Sequence, residues 1–150
     1  MKTYKFDYER YDSLDAMPAE VRELVAAAKR ATGTAFAPYS NFRVGAAARL
    51  QSGRIIIGSN QESEVFPAGV CAERTLLGHC QVAFQDDPIT DFAIASEPGL
   101  RECYPCGICR QVLNDTEKRQ GLPIRVIMAS DSSATVIPTA RYLLPFIFEL

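Results

Sequence analysis

Two cysteine motifs constrain the fold of this chain more than any other feature. The first is Val70-Cys-Ala-Glu-Arg-Thr75, and the second is Tyr104-Pro-Cys-Gly-Ile-Cys-Arg-Gln111. Cys71, Cys106 and Cys109 can offer three thiolates to one metal ion, which leaves the fourth tetrahedral position open for water. Structural zinc sites are normally closed by four protein ligands. The chain is therefore expected to bring two distant helix starts together around a working zinc site.

The residues beside these cysteines indicate what such a site would do. Glu73 follows the first cysteine by two positions and is an acid that need not bind the metal. Cys106 and Cys109 are three positions apart, so they face the same side of a helix. Helix N-termini lower the pKa of thiols, and Arg74 and Arg110 are expected to offset the remaining negative charge. Glu73 is then the expected carrier of protons between water and substrate.

The composition limits the classes of protein and partner. With 150 residues, 47% apolar and 23% charged, the chain is expected to form one globular domain. A net charge of -2 argues against nucleic acid as a partner. No stretch approaches the roughly 20 apolar residues that span a bilayer, and no signal-peptide core is present, which predicts a cytoplasmic protein with no membrane partner. In a reducing compartment, Cys80 and Cys103 are expected to be spare thiols.

The spacing of apolar residues and turn signals predicts the order of elements. Residues 1–17 are expected to form an arm or a short edge strand ahead of a single catalytic domain over residues 18–150. Helices are predicted over residues 18–33, 71–84 and 105–119. Strands are predicted over residues 42–50, 54–58, 91–96, 124–129 and 134–138, the first two forming a hairpin. This order predicts a three-layer α/β/α fold with a mixed five-stranded sheet.

With these motifs in place, the sequence resembles the cytidine deaminase family, in its small, zinc-dependent, homotetrameric form. The similarity begins near Pro38–Ala47, includes Gly58–Glu62 and both cysteine motifs, and reaches Leu143–Phe148. The resemblance implies the fold of that family, with Zn²⁺ held by the three cysteines and Glu73 carrying protons. It also implies hydrolytic deamination of cytidine and deoxycytidine at C4 with release of ammonia, as in pyrimidine salvage.

The same resemblance implies a set of substrate contacts. Asn60 and Glu62 would bind the ribose hydroxyls, since a carboxylate accepts protons while an amide both donates and accepts. Phe42 would pack along the base or sugar, and the backbone near Ala72 would hold the pyrimidine edge. Phe148 would reach the site of a neighbouring subunit, which implies a homotetramer. From residue type alone, core packing explains the two phenylalanines as well as contact with a ligand does. Asn60 could equally be a turn residue, and Glu62 a solvated carboxylate on a loop.

One segment departs from the family pattern. After Asn-x-Glu the family usually has Asn-Ala and a small residue before Tyr, whereas this chain has Ser63-Glu64-Val65-Phe66. The register to Cys71 is kept, so the departure affects the wall near the sugar rather than the metal site. Glu64 adds a carboxylate that would disfavour phosphorylated substrates. A modified aminopyrimidine nucleoside is therefore the nearest alternative substrate.

Three alternatives come from other classes of function. A zinc-stabilised binding module without catalysis would have no need of Glu73. A thiol redox protein built on Cys106 and Cys109 would leave Cys71 idle. Editing of nucleic acid by the same chemistry would need a basic, aromatic-lined groove, which the acidic composition disfavours.

Overall fold

The computed structural model describes residues 1–150 and contains six strands and three α-helices. The strands are β1 (Glu9–Tyr11), β2 (Arg43–Leu50), β3 (Ile55–Ser59), β4 (Ile89–Glu97), β5 (Arg125–Ala129) and β6 (Ala134–Ile137). The helices are α1 (Ala19–Ala31), α2 (Ala72–Ala83) and α3 (Gly107–Gln120). No helix is long and apolar enough to cross a membrane.

All six strands belong to one sheet, in the order β1-β6-β5-β4-β2-β3. The β4–β5 pair is parallel and the other pairs are antiparallel, so the prediction of a mixed sheet is confirmed. The predicted number of five strands is wrong, because β1 adds a sixth strand beside β6, with Arg10 opposite Thr135. This edge strand agrees with the expectation of an arm or a short edge strand within residues 1–17, although it was not counted in the predicted sheet. The division into an arm over residues 1–17 and a catalytic domain over residues 18–150 stays a prediction.

Helix α1 covers one face of the sheet. Its apolar stripe at helical spacing is buried against small and branched residues of the sheet, including Ala47, Ala93 and Ile127. The helix approaches β2 so closely that a Cβ atom at Gly45 would lie 2.0 Å from the carbonyl oxygen of Ala28. Glycine is therefore required where α1 crosses β2.

Helices α2 and α3 cover the opposite face, which completes the predicted three layers. This second core cluster contains Leu76 and Leu77 of α2, Leu113 of α3, and Phe92 in the middle of β4. Cys80 is buried in the same cluster, so it packs as a core residue. The cysteine-bearing ends of α2 and α3 therefore belong to two helices that pack on the same side of the sheet.

Candidate metal centre

Two helix N-termini carry the cysteines of the predicted site. Cys71 precedes α2 and Cys106 precedes α3, each with extended backbone and no side-chain capping bond. The carbonyl oxygen of each cysteine accepts the first helical hydrogen bond, from Thr75 and Arg110 respectively. Cys109 lies one turn further along α3 and is fully buried. Helices α2 and α3 thus begin one and two residues later than predicted, because each cysteine occupies the N-cap position with extended backbone.

The loop before α2 is closed by a short antiparallel pairing. Gln61 and Val70 exchange two backbone hydrogen bonds of 2.9 Å. Because Val70 directly precedes Cys71, this pairing joins the end of β3 to the first metal ligand. The segment with Asn60 and Glu62 is thereby placed next to the start of α2.

The three sulfur atoms form a compact cluster. The Sγ atoms of Cys71 and Cys106 are 3.9 Å apart, and all three Sγ atoms lie within 4.8 Å of one another. Zn–S bonds of about 2.3 Å in tetrahedral geometry place sulfur atoms about 3.8 Å apart. Three soft thiolates at this spacing fit Zn²⁺ with one coordination position left for a non-protein ligand.

The electrostatics of the cluster favour a thiolate at Cys71. A hydrogen bond from the Cys109 thiol and the nearby Arg74 guanidinium lower the pKa of Cys71 to about 5. The Nη2 atom of Arg74 lies 3.7 Å from the Cys71 sulfur, as the sequence predicted. The pKa of Cys109 is raised, because its proton is shared with the Cys71 sulfur and its site is buried.

The structure gives Arg110 a different role from the one predicted. Its Nε atom donates to the carbonyl oxygen of Pro105 at 2.8 Å, and its Nη1 atom donates to that of Leu143 at 3.1 Å. The guanidinium therefore ties the loop before α3 to the C-terminal segment. Of the two arginines expected to offset the charge of the sulfurs, Arg74 is the one that contacts a sulfur atom.

Glu73 lies in the first turn of α2, directly beside the sulfur cluster. The residue is 4% exposed, and burial raises the pKa of its carboxyl to about 7. The neighbouring Cys71 sulfur raises the pKa of Glu73 further. A buried carboxyl group in this position can exchange protons with a molecule bound at the cluster.

Asn60 uses its side chain to hold the start of β2. The Oδ1 atom accepts a hydrogen bond of 2.8 Å from the backbone N–H of Val44, and the Nδ2 atom donates to the carbonyl oxygen of Phe42 at 3.0 Å. One N–H of the amide and one lone pair of Oδ1 remain free of protein partners. Asn60 thus has a structural role whether or not it binds a sugar.

Glu62 is held by the loop that precedes β2. Its carboxylate accepts hydrogen bonds from the backbone N–H groups of Tyr39, at 2.9 Å, and Ser40, at 3.3 Å. The Ser40 hydroxyl makes a further, short hydrogen bond to the second carboxylate oxygen. These donors, the Ser40 hydroxyl first, lower the pKa of Glu62. Sequence reasoning missed Tyr39 and Ser40, since their spacing from Glu62 carries no motif.

The remaining predicted site residues differ in exposure. Ala72 is fully buried at the start of α2, where the first backbone N–H groups have no acceptor within the helix. Phe42 and Phe148 are 43% and 68% exposed, so neither is ordinary core packing. The carbonyl oxygen of Phe148 accepts a hydrogen bond from Gln111 of α3.

The segment that departs from the family pattern contributes to a groove beside Glu62. Phe66 packs edge-on against Tyr39 with ring centroids 5.4 Å apart. The groove has a volume of about 430 Å³, and its other lining residues are Ser40, Glu62, Ser63 and Gly69. Glu64 is exposed outside this lining.

Comparison with known proteins identifies relatives along most of the chain. The family model described as the cytidine and deoxycytidylate deaminase zinc-binding region matches residues 18–121, which include both cysteine motifs. A cytidine deaminase of Halalkalibacterium halodurans is 37% identical over 90 residues, covering 60% of this chain and 67% of the relative. A probable cytidine deaminase of Dictyostelium discoideum is 35% identical over 92 residues, covering 61% of this chain and 62% of the relative. The aligned segments thus span about two thirds of these relatives.

A solved structure extends the similarity to the whole fold. The crystal structure of a cytidine deaminase from Burkholderia pseudomallei superposes with a TM-score of 0.74 at 34% sequence identity. The superposition covers 88% of this chain and 100% of that chain.

Proposed function

Given that the chain belongs to the cytidine and deoxycytidylate deaminase family, we propose that it catalyses zinc-dependent hydrolytic deamination of cytidine and deoxycytidine. The products are uridine or deoxyuridine and ammonia. The observation that carries this proposal is the buried Glu73 beside three cysteine sulfurs. A site that served only to stabilise the fold would need a fourth ligand and no buried acid, since burying a carboxylate costs free energy.

The chemistry divides between the metal and Glu73. Cys71, Cys106 and Cys109 would hold Zn²⁺, which would supply Lewis acidity and make water more acidic. Glu73 accepts one proton from the attacking water as the water oxygen bonds to C4, and it passes that proton to N3. Glu73 then carries the second proton to the amino nitrogen, the C4–N bond breaks, and ammonia leaves. The product keeps the oxygen at C4 and the proton at N3, so atoms and charge balance.

We assign the substrate contacts to residues that retain hydrogen-bonding capacity. A carboxylate offers about four lone-pair sites, and three are used at Glu62, so one remains for a sugar hydroxyl. Asn60 keeps one N–H donor for the same diol. Phe42 packs along the nucleoside, and the backbone at Ala72 holds the pyrimidine edge. Free nucleoside is therefore the proposed substrate class.

Assembly and location complete the proposal. Phe148 is too exposed to be a core residue of its own subunit. A homotetramer in which Phe148 enters the active site of a neighbouring subunit accounts for that exposure. All five cysteines are unpaired, which suits a reducing compartment, so we place the protein in the cytoplasm. Catalysis is assigned to residues 18–150, and a role in pyrimidine salvage follows from the substrate.

A modified aminopyrimidine nucleoside is the second candidate substrate. It is favoured by the groove beside Glu62, whose wall contains Ser63 and the apolar ring of Phe66 in place of the family's asparagine and tyrosine. This wall is the part of the site that departs from the pattern usual in the family.

Both candidates are tested by one experiment on the purified protein. Zinc content is measured first, and ammonia release is then followed with cytidine, deoxycytidine and a panel of modified aminopyrimidine nucleosides. Turnover of cytidine, and its loss in Glu73→Gln with zinc retained, are the expected results. A zinc-loaded protein that turns over none of these nucleosides would refute the proposal, and turnover of a modified nucleoside alone would select the second candidate.

A further inference from the structure

A buried carboxylate outside the metal centre accepts four hydrogen bonds. The side chain of Glu102, on the loop between β4 and α3, is 4% exposed. Each of its two oxygen atoms accepts from two donors, at distances between 2.6 and 3.0 Å. The donors are Arg10 Nη1, Ser133 Oγ, Thr135 Oγ1 and Tyr104 OH. All of the lone-pair sites of the carboxylate are thus occupied.

Arg10 is the only charged donor among the four. It lies on β1 opposite Thr135 of β6, so strand pairing fixes its backbone next to Glu102. A charged partner stabilises a buried carboxylate in addition to neutral donors, because burial removes the water that would otherwise stabilise its charge. Arg10 belongs to the predicted arm and precedes the region matched by the family model. The arm therefore supplies a charge that the matched region does not.

Glu102 is joined directly to the loop that carries the metal ligands. The backbone N–H of the next residue, Cys103, donates to the carbonyl oxygen of Ala129 in β5 at 3.1 Å. The Tyr104 hydroxyl donates to the Glu102 carboxylate, and the fully buried Pro105 connects Tyr104 to Cys106. The path from Arg10 to the metal ligand Cys106 thus passes through one ion pair and four consecutive residues, all held by packing or hydrogen bonds.

We propose that Arg10 and Glu102 are positioning residues for the metal centre, and that the N-terminal arm fastens the loop that presents Cys106 and Cys109. This inference rests on the zinc site of the proposed function. Without the Arg10 guanidinium, the Glu102 carboxylate loses its only charged partner and draws water toward the loop. The loop then opens more often, and zinc leaves the site faster.

The two partners of Arg10 provide a matched control. Its Nε atom also donates to Asp12 at 3.1 Å, and the Asp12 side chain is 90% exposed. Asp12→Ala removes an ion pair of the same arginine without touching the buried carboxylate. Exposed pairs of this kind contribute little, so this variant separates the effect on Glu102 from a general effect on the arm.

The experiment compares zinc-loaded Arg10→Ala, Arg10→Lys, Glu102→Gln and Asp12→Ala with the wild type. Zinc transfer to a chromophoric chelator is followed under native conditions, and hydrogen–deuterium exchange is measured for residues 101–106. Urea unfolding of each variant reports global stability. We expect Arg10→Ala and Glu102→Gln to release zinc about tenfold faster, the lower end for residues that support metal ligands. Arg10→Lys is expected to release zinc almost as slowly as the wild type. The zinc-release rate of Asp12→Ala is expected to stay within about twofold of the wild-type rate.

Faster exchange in residues 101–106, in variants whose urea midpoint is otherwise preserved, would distinguish positioning from a purely structural role. Unchanged zinc release and unchanged exchange in folded Arg10→Ala and Glu102→Gln would overturn the inference while leaving the proposed function intact. An equal acceleration in Asp12→Ala would also overturn it, because the buried carboxylate would then be irrelevant. A wild-type protein that binds no zinc would instead overturn the proposed function, and the inference with it.

Discussion

Replacing Gly58 with alanine is expected to displace the start of α2 and slow catalysis without removing any functional side chain. Gly58 lies on β3 beneath the first turns of α2. A Cβ atom there would lie 2.8 Å from the Cβ of Leu76, 3.0 Å from its backbone nitrogen and 3.1 Å from the carbonyl oxygen of Ala72. Two of these three atoms belong to the helix backbone, so a side-chain rotation cannot relieve the overlap.

The size of the displacement follows from these distances. Ordinary carbon contacts begin near about 3.5 Å, so the helix must move away from β3 by roughly 0.5 Å or more. Overpacking of this kind typically costs about 1–3 kcal/mol. Because Glu73 follows Ala72 directly, the same movement of α2 also displaces the carboxyl group of Glu73, the proposed proton carrier. A misplacement of about 1 Å can cost about a hundredfold in rate, so we expect kcat to fall by about tenfold.

The assay combines thermal unfolding with steady-state kinetics on cytidine. For a chain of this size, each kcal/mol lost lowers Tm by about 2–4 °C. Gly78→Ala is the matched control, because Gly78 lies in the same helix and a Cβ atom there would meet nothing within 4 Å. Its expected effect is a gain of up to about 1 kcal/mol from helix propensity, with kcat unchanged. If Gly58→Ala kept both the Tm and the kcat of the wild type, the close approach of β3 and α2 would not position Glu73.

Three further predictions concern the site itself. Glu73→Gln is expected to lower kcat by about 10²–10⁴-fold with zinc content unchanged; wild-type turnover in this variant would remove Glu73 from the mechanism. Elemental analysis of Cys109→Ser is expected to find less than one zinc ion per chain. Removal of zinc from the wild type with a chelator is expected to abolish activity, and added Zn²⁺ is expected to restore it. Activity that survives complete removal of zinc would contradict the metal assignment. Ser40→Ala removes a hydroxyl that holds Glu62, so KM for cytidine should rise several-fold while kcat changes little. A fall in kcat alone would show that Ser40 acts elsewhere.

The metal centre could be predicted from the sequence because its chemistry depends on residue type and short spacing. Cys106 and Cys109 are separated by one helical turn, and Glu73 follows Cys71 within the next turn, so local geometry already places them. Helix α1, which covers the other face of the sheet, could also be predicted, since Val21 and its apolar neighbours repeat at helical spacing. Within each motif, spacing over one or two turns was sufficient, whereas the contact between Cys71 and Cys106, 35 residues apart, depends on the packing of α2 and α3 on one face of the sheet.

The bounds and the partner of the sixth strand, and the role of Arg110, could not be predicted in this way. A short edge strand was one expectation for residues 1–17, but the pairing of its three residues with β6 depends on the free edge of β6, which lies far away in sequence. Arg110 follows a metal ligand in sequence, but its guanidinium reaches Pro105 and Leu143, the latter 33 residues away. Such long-range partners are set by the packing of the C-terminal segment on α3. Spacing along the chain contains no information about them.

Asn60 and Glu62 show how a residue can have two roles that the sequence cannot separate. Residue type indicates only how many hydrogen bonds a side chain can make, whereas the fold determines how many are already used. At Glu62 the loop at Tyr39 and Ser40 uses three sites and leaves about one. A sugar hydroxyl bound there would share its acceptor with that loop, so substrate binding and loop position are coupled through one carboxylate. A substitution at Ser40 should therefore affect KM even though Ser40 need not touch the substrate.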